Sequence, residues 1–426
     1  MSQPLLFYVL TAVTMSLGWA LRGTIGGGPV GAMIPGAMVM LCLCHLLGFK
    51  RRVAIAAALG TIGIGLGGQV TYGQTIGFAR FPETMLWGEL GMTIKGAMWG
   101  LSGGVLVGLG LMHSKYKPSQ ILIGLVLMLI GTAVGHSLVD EPKLLYFSDP
   151  DNKPREEIWF GLTLGATFLV AWLLVLGRER VSSVIALCGM LGGAAGFGGG
   201  GLFFVLGSYL GNEWSSWPWW KMKEFTFGLL YGLGLAIGCY WFRNEIREAD
   251  GSGVDRTEVP LVPTSTLMTI LAGIAVVFGG MYFQFTIPYR AMFSVVGAAL
   301  IGISIFSVPL AWHVALSMTI VGFLRDSLYR FAPSEWTDSL AFAWALVLGI
   351  TVVVVSVVTL LIRSRASSRS LLLGLTWLGT AFALIKTGIP ELTPGMHLFV
   401  PGLFLLQSIM VTAMLATMPS PDDTPA

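Results

Sequence analysis

Nine polar or charged side chains in this apolar chain have types and positions suited to holding a small solute. They are two amides, a phenol, an imidazole and five charged groups: Arg22, Gln69, Tyr72, Gln74, Glu89, Lys95, His136, Lys223 and Glu224. Arginine and lysine attract anions, whereas amides and phenols add hydrogen bonds without adding charge. These residues together predict a binding site for a small polar or anionic solute.

Arg22 stands at the edge of a glycine run in the stretch GWALRGTIGGGPVGAMIPGA, residues 18–37. Consecutive glycines weaken a helix by about 1 kcal/mol each, so we expect interrupted helix in GTIGGGPV and again in GFGGGG, residues 196–201. Backbone N–H groups freed beside a guanidinium form a surface that receives anions. The alternative is that Arg22 reaches lipid headgroups from the end of its span and that the glycines lie in ordinary loops.

Two lysines fall inside predicted membrane spans. A charged residue there costs roughly 2.5–3.5 kcal/mol on insertion scales, so Lys95 and Lys223 are candidates for a functional site. Glu224 directly follows Lys223, and Glu89 precedes Lys95 by six residues. We expect the two lysines to face each other across a cavity; the alternative is that both extend to the membrane interface.

The segment GGQVTYGQTIG, residues 67–77, ends a glycine-faced helix and supplies neutral hydrogen-bonding groups through Gln69, Tyr72 and Gln74. The segment HSLVDEPK, residues 136–143, places His136 beside two carboxylates, a grouping that can bind a metal or move protons. The second grouping supports an alternative function, a membrane-embedded transferase whose outward-facing site acts on a lipid-linked substrate. The sequence has no HExxH motif, and we assign no catalytic residue, metal ligand or cofactor.

The elements that position these residues are transmembrane helices. The chain is 54% hydrophobic and only 11% charged, whereas soluble domains carry roughly 25% charged residues. Apolar stretches long enough to cross ~30 Å of hydrocarbon recur from end to end, so we predict an all-α, polytopic integral membrane bundle. The net charge of +3 without a basic cluster argues against nucleic acid as a partner.

We predict fourteen transmembrane helices. They lie at about 4–22, 31–49, 53–72, 88–112, 119–138, 158–177, 182–206, 223–242, 264–284, 291–306, 308–325, 338–362, 370–387 and 396–416. Short basic loops alternate with acidic ones along the chain; the basic set is 49–52, 114–118, 177–180, 242–248 and 363–369. The positive-inside rule therefore places both termini in the cytoplasm of a bacterial-type inner membrane. The first helix lacks a charged leader region and a cleavage site, so we expect it to be retained.

The chain also contains an internal repeat. Residues 36–60 align with 165–189 at an offset of 129 residues, and 95–104 align with 223–232 after a shift of one. Within each aligned pair of segments the glycines match at regular spacing, and Lys95 matches Lys223. Because each copy has four helices, both copies would run in the same direction.

This repeat divides the chain into three regions. The first four-helix repeat covers 1–118, the second covers 119–260, and a C-terminal six-helix region covers 261–426. A faint match of WTDSL to WGEL leaves open a degenerate third copy, followed by two further helices, in the last region.

The favoured function is a membrane transporter or channel-like permease rather than an enzyme. Its partners would be the lipid bilayer and a small polar or anionic solute, held in an outward-facing cavity between the repeats. A homo-oligomer is compatible with this glycine-rich composition.

The predicted topology can be tested by labelling. Lys115→Cys and Trp217→Cys should react with a membrane-impermeant maleimide from opposite sides of sealed vesicles, because the two positions lie in loops of opposite charge bias. Labelling of both positions from the same side would contradict the assigned orientation.

Overall fold

In the computed structural model, the described residues are 2–49, 52–152, 154–177, 179–211, 217–251, 265–286, 292–387 and 396–418. Over these ranges the chain is helical apart from turns and one long loop before Trp159, and it contains no β-strand, which confirms the predicted all-α class. Positions 50, 51 and 178 of the predicted basic loops lie outside the described residues.

The structure contains helices that we number in chain order. They are α1 Gln3–Ile25, α2 Gly28–Leu47, α3 Val53–Leu66, α4 Gly73–Phe78, α5 Met85–Met112, α6 Pro118–Gly135, α7 Trp159–Gly177, α8 Val181–Leu210, α9 Trp219–Trp241, α10 Arg243–Gly251, α11 Thr266–Thr286, α12 Met292–Ser304, α13 Val308–Trp312, α14 Met318–Phe331, α15 Ser334–Thr337, α16 Leu340–Arg363, α17 Ser368–Thr387 and α18 Met396–Ala416. A π-helical turn, His136–Asp140, extends α6, and a second, His313–Ser317, joins α13 to α14.

Ten helices of the described chain are long and apolar enough to cross a membrane, which supports a multi-pass membrane protein. Helices α9 and α10 form a bent pair with an angle of 69° between them. Three shorter apolar helices are Val53–Gln69, Trp159–Val175 and Met292–Ser304.

The two glycine runs behave differently. The first is interrupted as expected, because α1 ends at Ile25 and α2 begins at Gly28. The second, at 196–201, is continuous α-helix inside α8, so the expected interruption there is wrong. Packing of α8 against α5 and α9 stabilises helical backbone that these glycines would not favour alone.

Helix α2 occupies the centre of the bundle. Its sequence is apolar on every side, the pattern of a helix that is buried all round, and it packs against α1, α3, α14 and α17. At Gly18 an added Cβ would lie 2.7 Å from the Cα of Pro35, so α1 and α2 meet backbone to backbone at that proline.

Helices α5 and α8 pack backbone to backbone along several turns. A Cβ added at Gly100 would lie 1.9 Å from the carbonyl oxygen of Gly189, and one at Gly96 would lie 2.3 Å from that of Gly193. Because lipid gives helices no hydrophobic drive to associate, small residues that permit such contact favour their packing.

Replacement of Gly100 by alanine should therefore destabilise the protein. The new methyl group would collide with α8 backbone, and such overpacking typically costs about 1–3 kcal/mol. We expect a lower Tm in detergent, measured by thermal unfolding.

The matched control is Gly349→Ala, because a Cβ at Gly349 of α16 meets no atom within 4 Å. Its Tm should equal or exceed that of the parent protein, since alanine favours helix over glycine. Equal Tm values for the two variants would contradict the packing described here.

Candidate functional site

The candidate site is an aromatic chamber at the end of the bundle where α1 and α3 end and α5 and α9 begin. It is lined by Trp19, Tyr72, Phe197, Trp220, Lys223, Glu224 and Phe227. The rings pack edge to face, with centroid distances of 4.4 Å between Trp19 and Phe227 and 4.8 Å between Phe197 and Phe227. The chamber thus combines aromatic walls with charged side chains.

Glycines on neighbouring helices make room for the rings. A Cβ added at Gly67 would lie 2.0 Å from the indole of Trp99, and one at Gly196 would lie 2.8 Å from the carbonyl oxygen of Phe227. The Trp99 indole N–H donates a hydrogen bond of 2.8 Å to the carbonyl oxygen of Ile64. This bond fixes the ring behind Tyr72, at a centroid distance of 6.3 Å.

Arg22 lies among three of these rings. Its guanidinium carbon is 5.4, 5.6 and 5.5 Å from the ring centroids of Trp19, Tyr72 and Trp99. One guanidinium nitrogen donates a hydrogen bond to the Tyr72 hydroxyl, but Nε is buried without a hydrogen-bond partner. Only 4% of the residue is exposed.

Lys223 lies on the other side of Tyr72 and is 2% exposed. Its ammonium is 3.4 Å from the ring centroid of Phe197 and 4.6 Å from that of Tyr72. Within the described part of the chain, no carboxylate lies at ion-pair distance from Lys223 or Arg22. Both cations are therefore balanced at close range by aromatic faces instead of by an anion.

Glu224 is the carboxylate of the chamber wall, and it is already paired. Its carboxylate forms a 2.6 Å salt bridge with the ammonium of Lys221 on the same helix. It also lies against α1, where a Cβ on Gly23 would overlap its carboxylate at 1.8 Å. Gly23 therefore allows Glu224 to approach the end of α1.

Lys95 does not face Lys223 across the chamber. Its ammonium lies 2.8 Å from each of three acceptors, a carboxylate oxygen of Glu157, the Thr75 hydroxyl and the Thr71 carbonyl. The side chains of Lys95 and Glu157 are 0% and 1% exposed. Glu157 also accepts a 2.7 Å hydrogen bond from the Ser148 hydroxyl, so the pair is well satisfied.

Gln69 also serves a contact elsewhere in the fold. Its amide nitrogen donates 3.0 Å hydrogen bonds to the Leu66 carbonyl and the Ser294 hydroxyl. Its amide oxygen accepts a 3.2 Å hydrogen bond from the Ser294 N–H. Gln69 therefore attaches the end of α3 to the start of α12.

Gln74 contacts the long loop that precedes α7. It accepts a 3.2 Å hydrogen bond from the Asp149 N–H and donates one of 2.9 Å to the Asn152 carbonyl. Within this loop the Tyr146 hydroxyl donates to the Arg155 carbonyl at 2.7 Å. Partial burial raises the pKa of Tyr146, so the phenol keeps its proton and remains a donor.

His136 lies in the π-helical turn after α6, with Nδ1 3.9 Å from a carboxylate oxygen of Asp140. Asp140 accepts hydrogen bonds from the N–H groups of Gly161 and Phe160, at 2.8 and 3.2 Å. The carboxylate thus satisfies the free N–H groups at the start of α7. No group of three metal-ligating side chains occurs among the described residues.

Glu89 faces a groove between α5 and α8 rather than the chamber. The chamber thus gathers Arg22, Tyr72, Lys223 and Glu224 from the predicted set, while Gln69, Gln74, Lys95 and His136 make contacts elsewhere. Their role in substrate binding remains a prediction. Comparison with known protein families, curated proteins and solved structures finds no match for this chain.

Sequence reasoning missed the partner of Lys95 and three of the rings around the chamber. It missed Glu157, although a buried lysine needs a counter-charge and the loop at 139–157 was visibly acidic. It also missed the rings of Trp99, Phe197 and Phe227. Each of these rings lies on a glycine-rich helix, which could have indicated a ring packed against backbone. Aromatic residues are common in membrane proteins, however, so this pattern was not specific.

Removing the lysine of the buried pair should destabilise the protein. Lys95→Ala leaves the Glu157 carboxylate buried without a cation, and breaking such a pair typically costs about 3–5 kcal/mol. We expect a marked fall in Tm, measured by thermal unfolding in detergent.

The double variant Lys95→Met with Glu157→Gln removes both charges, and it should recover much of the lost stability. A single variant as stable as the parent protein would contradict a structural role for this pair.

Proposed function

We propose that this protein is a membrane permease, either a transporter or a channel, for a small anionic solute that binds in the aromatic chamber. The observation that carries the proposal is the pair of buried cations, Arg22 and Lys223, for which the described residues supply no carboxylate at ion-pair distance. The solute would supply the missing negative charge.

The energetics favour an anion over a neutral solute. Burial of an ion costs several kcal/mol even after relaxation, whereas a desolvated cation–π contact returns only about 2 kcal/mol. The unpartnered Nε of Arg22 and the ammonium of Lys223 are donors that a carboxylate or phosphate would satisfy with charge-assisted hydrogen bonds. An anion would therefore replace weak contacts with stronger ones.

The chamber is closed in this structure. Its side chains leave no space the size of a water molecule, so the rings must move before a solute enters. Tyr72 is placed to make that movement, because residues 70–72 form irregular backbone between the 3₁₀ turn Gly67–Gln69 and α4. Irregular backbone at membrane depth is tolerated where it is buried or lines a cavity.

We also propose the finer architecture predicted from the sequence. The three shorter apolar helices and the bent pair α9–α10, added to the ten long helices, would make fourteen spans.

The four-helix repeat is supported by matching contacts. Gly67, in the 3₁₀ turn after α3, packs against Trp99 on α5, and the aligned Gly196 on α8 packs against Phe227 on α9. The inner membrane and cytoplasmic termini rest on the charge of the loops.

The transferase hypothesis has less support. It assigned acid–base or metal chemistry to His136, Asp140 and Glu141, but Asp140 is engaged at the start of α7. The described residues therefore form a more complete site for a permease than for a transferase.

Flux through proteoliposomes tests the proposal. Radiolabelled inorganic phosphate and acetate serve as probes for the two anion classes. Arg22→Gln and Lys223→Gln should each reduce anion flux by about tenfold or more, since a hydrogen bond to a charged group contributes about 1.5–3 kcal/mol.

The matched control is Arg243→Gln, because Arg243 also lies on an aromatic ring, 4.3 Å from the Tyr240 centroid, but follows the end of α9 opposite to the end that lines the chamber. Flux should not change in this variant. Unchanged flux in the Arg22→Gln, Lys223→Gln double variant, or flux no greater than in protein-free liposomes, would refute the proposal.

A further inference from the structure

A groove of about 470 Å³ lies between α5 and α8, outside the aromatic chamber. Its lining is mostly apolar and includes Leu86 and Leu202, which are 79% and 57% exposed. Glycines form part of its floor, and a Cβ added at Gly199 would meet no atom within 4 Å. The groove is therefore an open, largely apolar recess with room for an apolar chain.

The length of the groove matches a single leaflet. Its α8 wall runs from Ala194 to Val205, a rise of ~16 Å for an α-helix. The hydrocarbon core of a bilayer is ~30 Å thick, so ~15 Å is the depth that one acyl chain occupies. The α5 wall begins at Met85, the first residue of that helix, which places one end of the groove near the interface.

One polar group in the groove lacks a partner. Glu89, one turn into α5, has a buried carboxylate oxygen with no hydrogen-bond partner. The absence of a side chain at Gly201 makes room for this carboxylate, whose oxygens lie 2.7 and 2.8 Å from the position of an added Cβ. In the part of the chain that the structure describes, no cation forms an ion pair with Glu89.

From these observations we propose that the groove is a binding site for a phospholipid whose headgroup carries a primary ammonium. One acyl chain lies along α8, and the ammonium donates a hydrogen bond to the Glu89 carboxylate. A nearby ammonium favours the ionised form of a carboxyl group, and an ionised carboxylate only accepts hydrogen bonds, so Glu89 selects a headgroup with N–H donors over choline, which has none. This site is separate from the anion-binding function proposed above.

The lipid site lies next to the chamber wall. Phe197, which contacts the Lys223 ammonium, precedes Gly198 and Gly199 of the groove on the same helix. A bound acyl chain therefore packs against the outer face of the helical turn that carries this ring.

Lipid retention tests the proposal independently of anion flux. The full-length protein is purified from vesicles containing equal amounts of phosphatidylethanolamine and phosphatidylcholine with identical acyl chains, and bound lipid is measured by native mass spectrometry. We expect phosphatidylethanolamine to be retained about tenfold over phosphatidylcholine. Equal retention of the two lipids would overturn the proposal.

Two variants separate the headgroup contact from the acyl contact. Glu89→Gln should still bind lipid but retain the two headgroups about equally. Gly199→Leu should fill the groove and abolish retention, and the space around Gly199 allows this variant to fold.

The control Gly349→Leu places the same side chain in open space on α16, and its retention should equal that of the parent protein. Retention by Gly199→Leu at the level of this control, or an unchanged preference in Glu89→Gln, would refute the site. Neither outcome bears on the anion proposal, whose readout is flux.

Discussion

Backbone contact between α5 and α8 is the constraint on which the rest of this structure depends. Gly96 and Gly100 meet Gly193 and Gly189 with no side chain between them, and that contact fixes the rotation of both helices. One face of α8 then presents Phe197 to the chamber, while the next residues line the groove between α5 and α8. In a membrane, where apolar surface gains nothing from contact with more apolar surface, this close approach sets the geometry.

The bundle balances its buried cations in two ways. Lys95 has a carboxylate, a hydroxyl and a carbonyl at 2.8 Å and so resembles a structural buried pair. Arg22 and Lys223 have ring faces at close range, which attract a cation but do not neutralise it. The contrast separates a cation that is paired within the fold from two cations that have no carboxylate at ion-pair distance among the described residues.

The same residue types therefore take different roles according to their neighbours. Gln69 and Tyr72 lie three residues apart, yet the amide attaches α3 to α12 and the phenol lines the chamber. Asp140 and Glu157 are both acids near α7, yet the first caps its helix and the second pairs with Lys95. Residue type narrowed the candidates, and packing selected among them.

The sequence by itself determined the helical membrane class, because low charge and long apolar stretches are properties of composition and need no knowledge of contacts. It also singled out Lys95 and Lys223, since a charge inside a span is costly wherever the span lies, and Arg22, since it borders a run of glycines. Only the tertiary structure decided which cation is neutralised. Glu157 lies 62 residues beyond Lys95 along the chain, and no local pattern encodes which distant loop returns to which helix. The folding of α8 through GFGGGG was likewise decided by packing, because contacts with neighbouring helices outweigh the weak intrinsic preference of glycine.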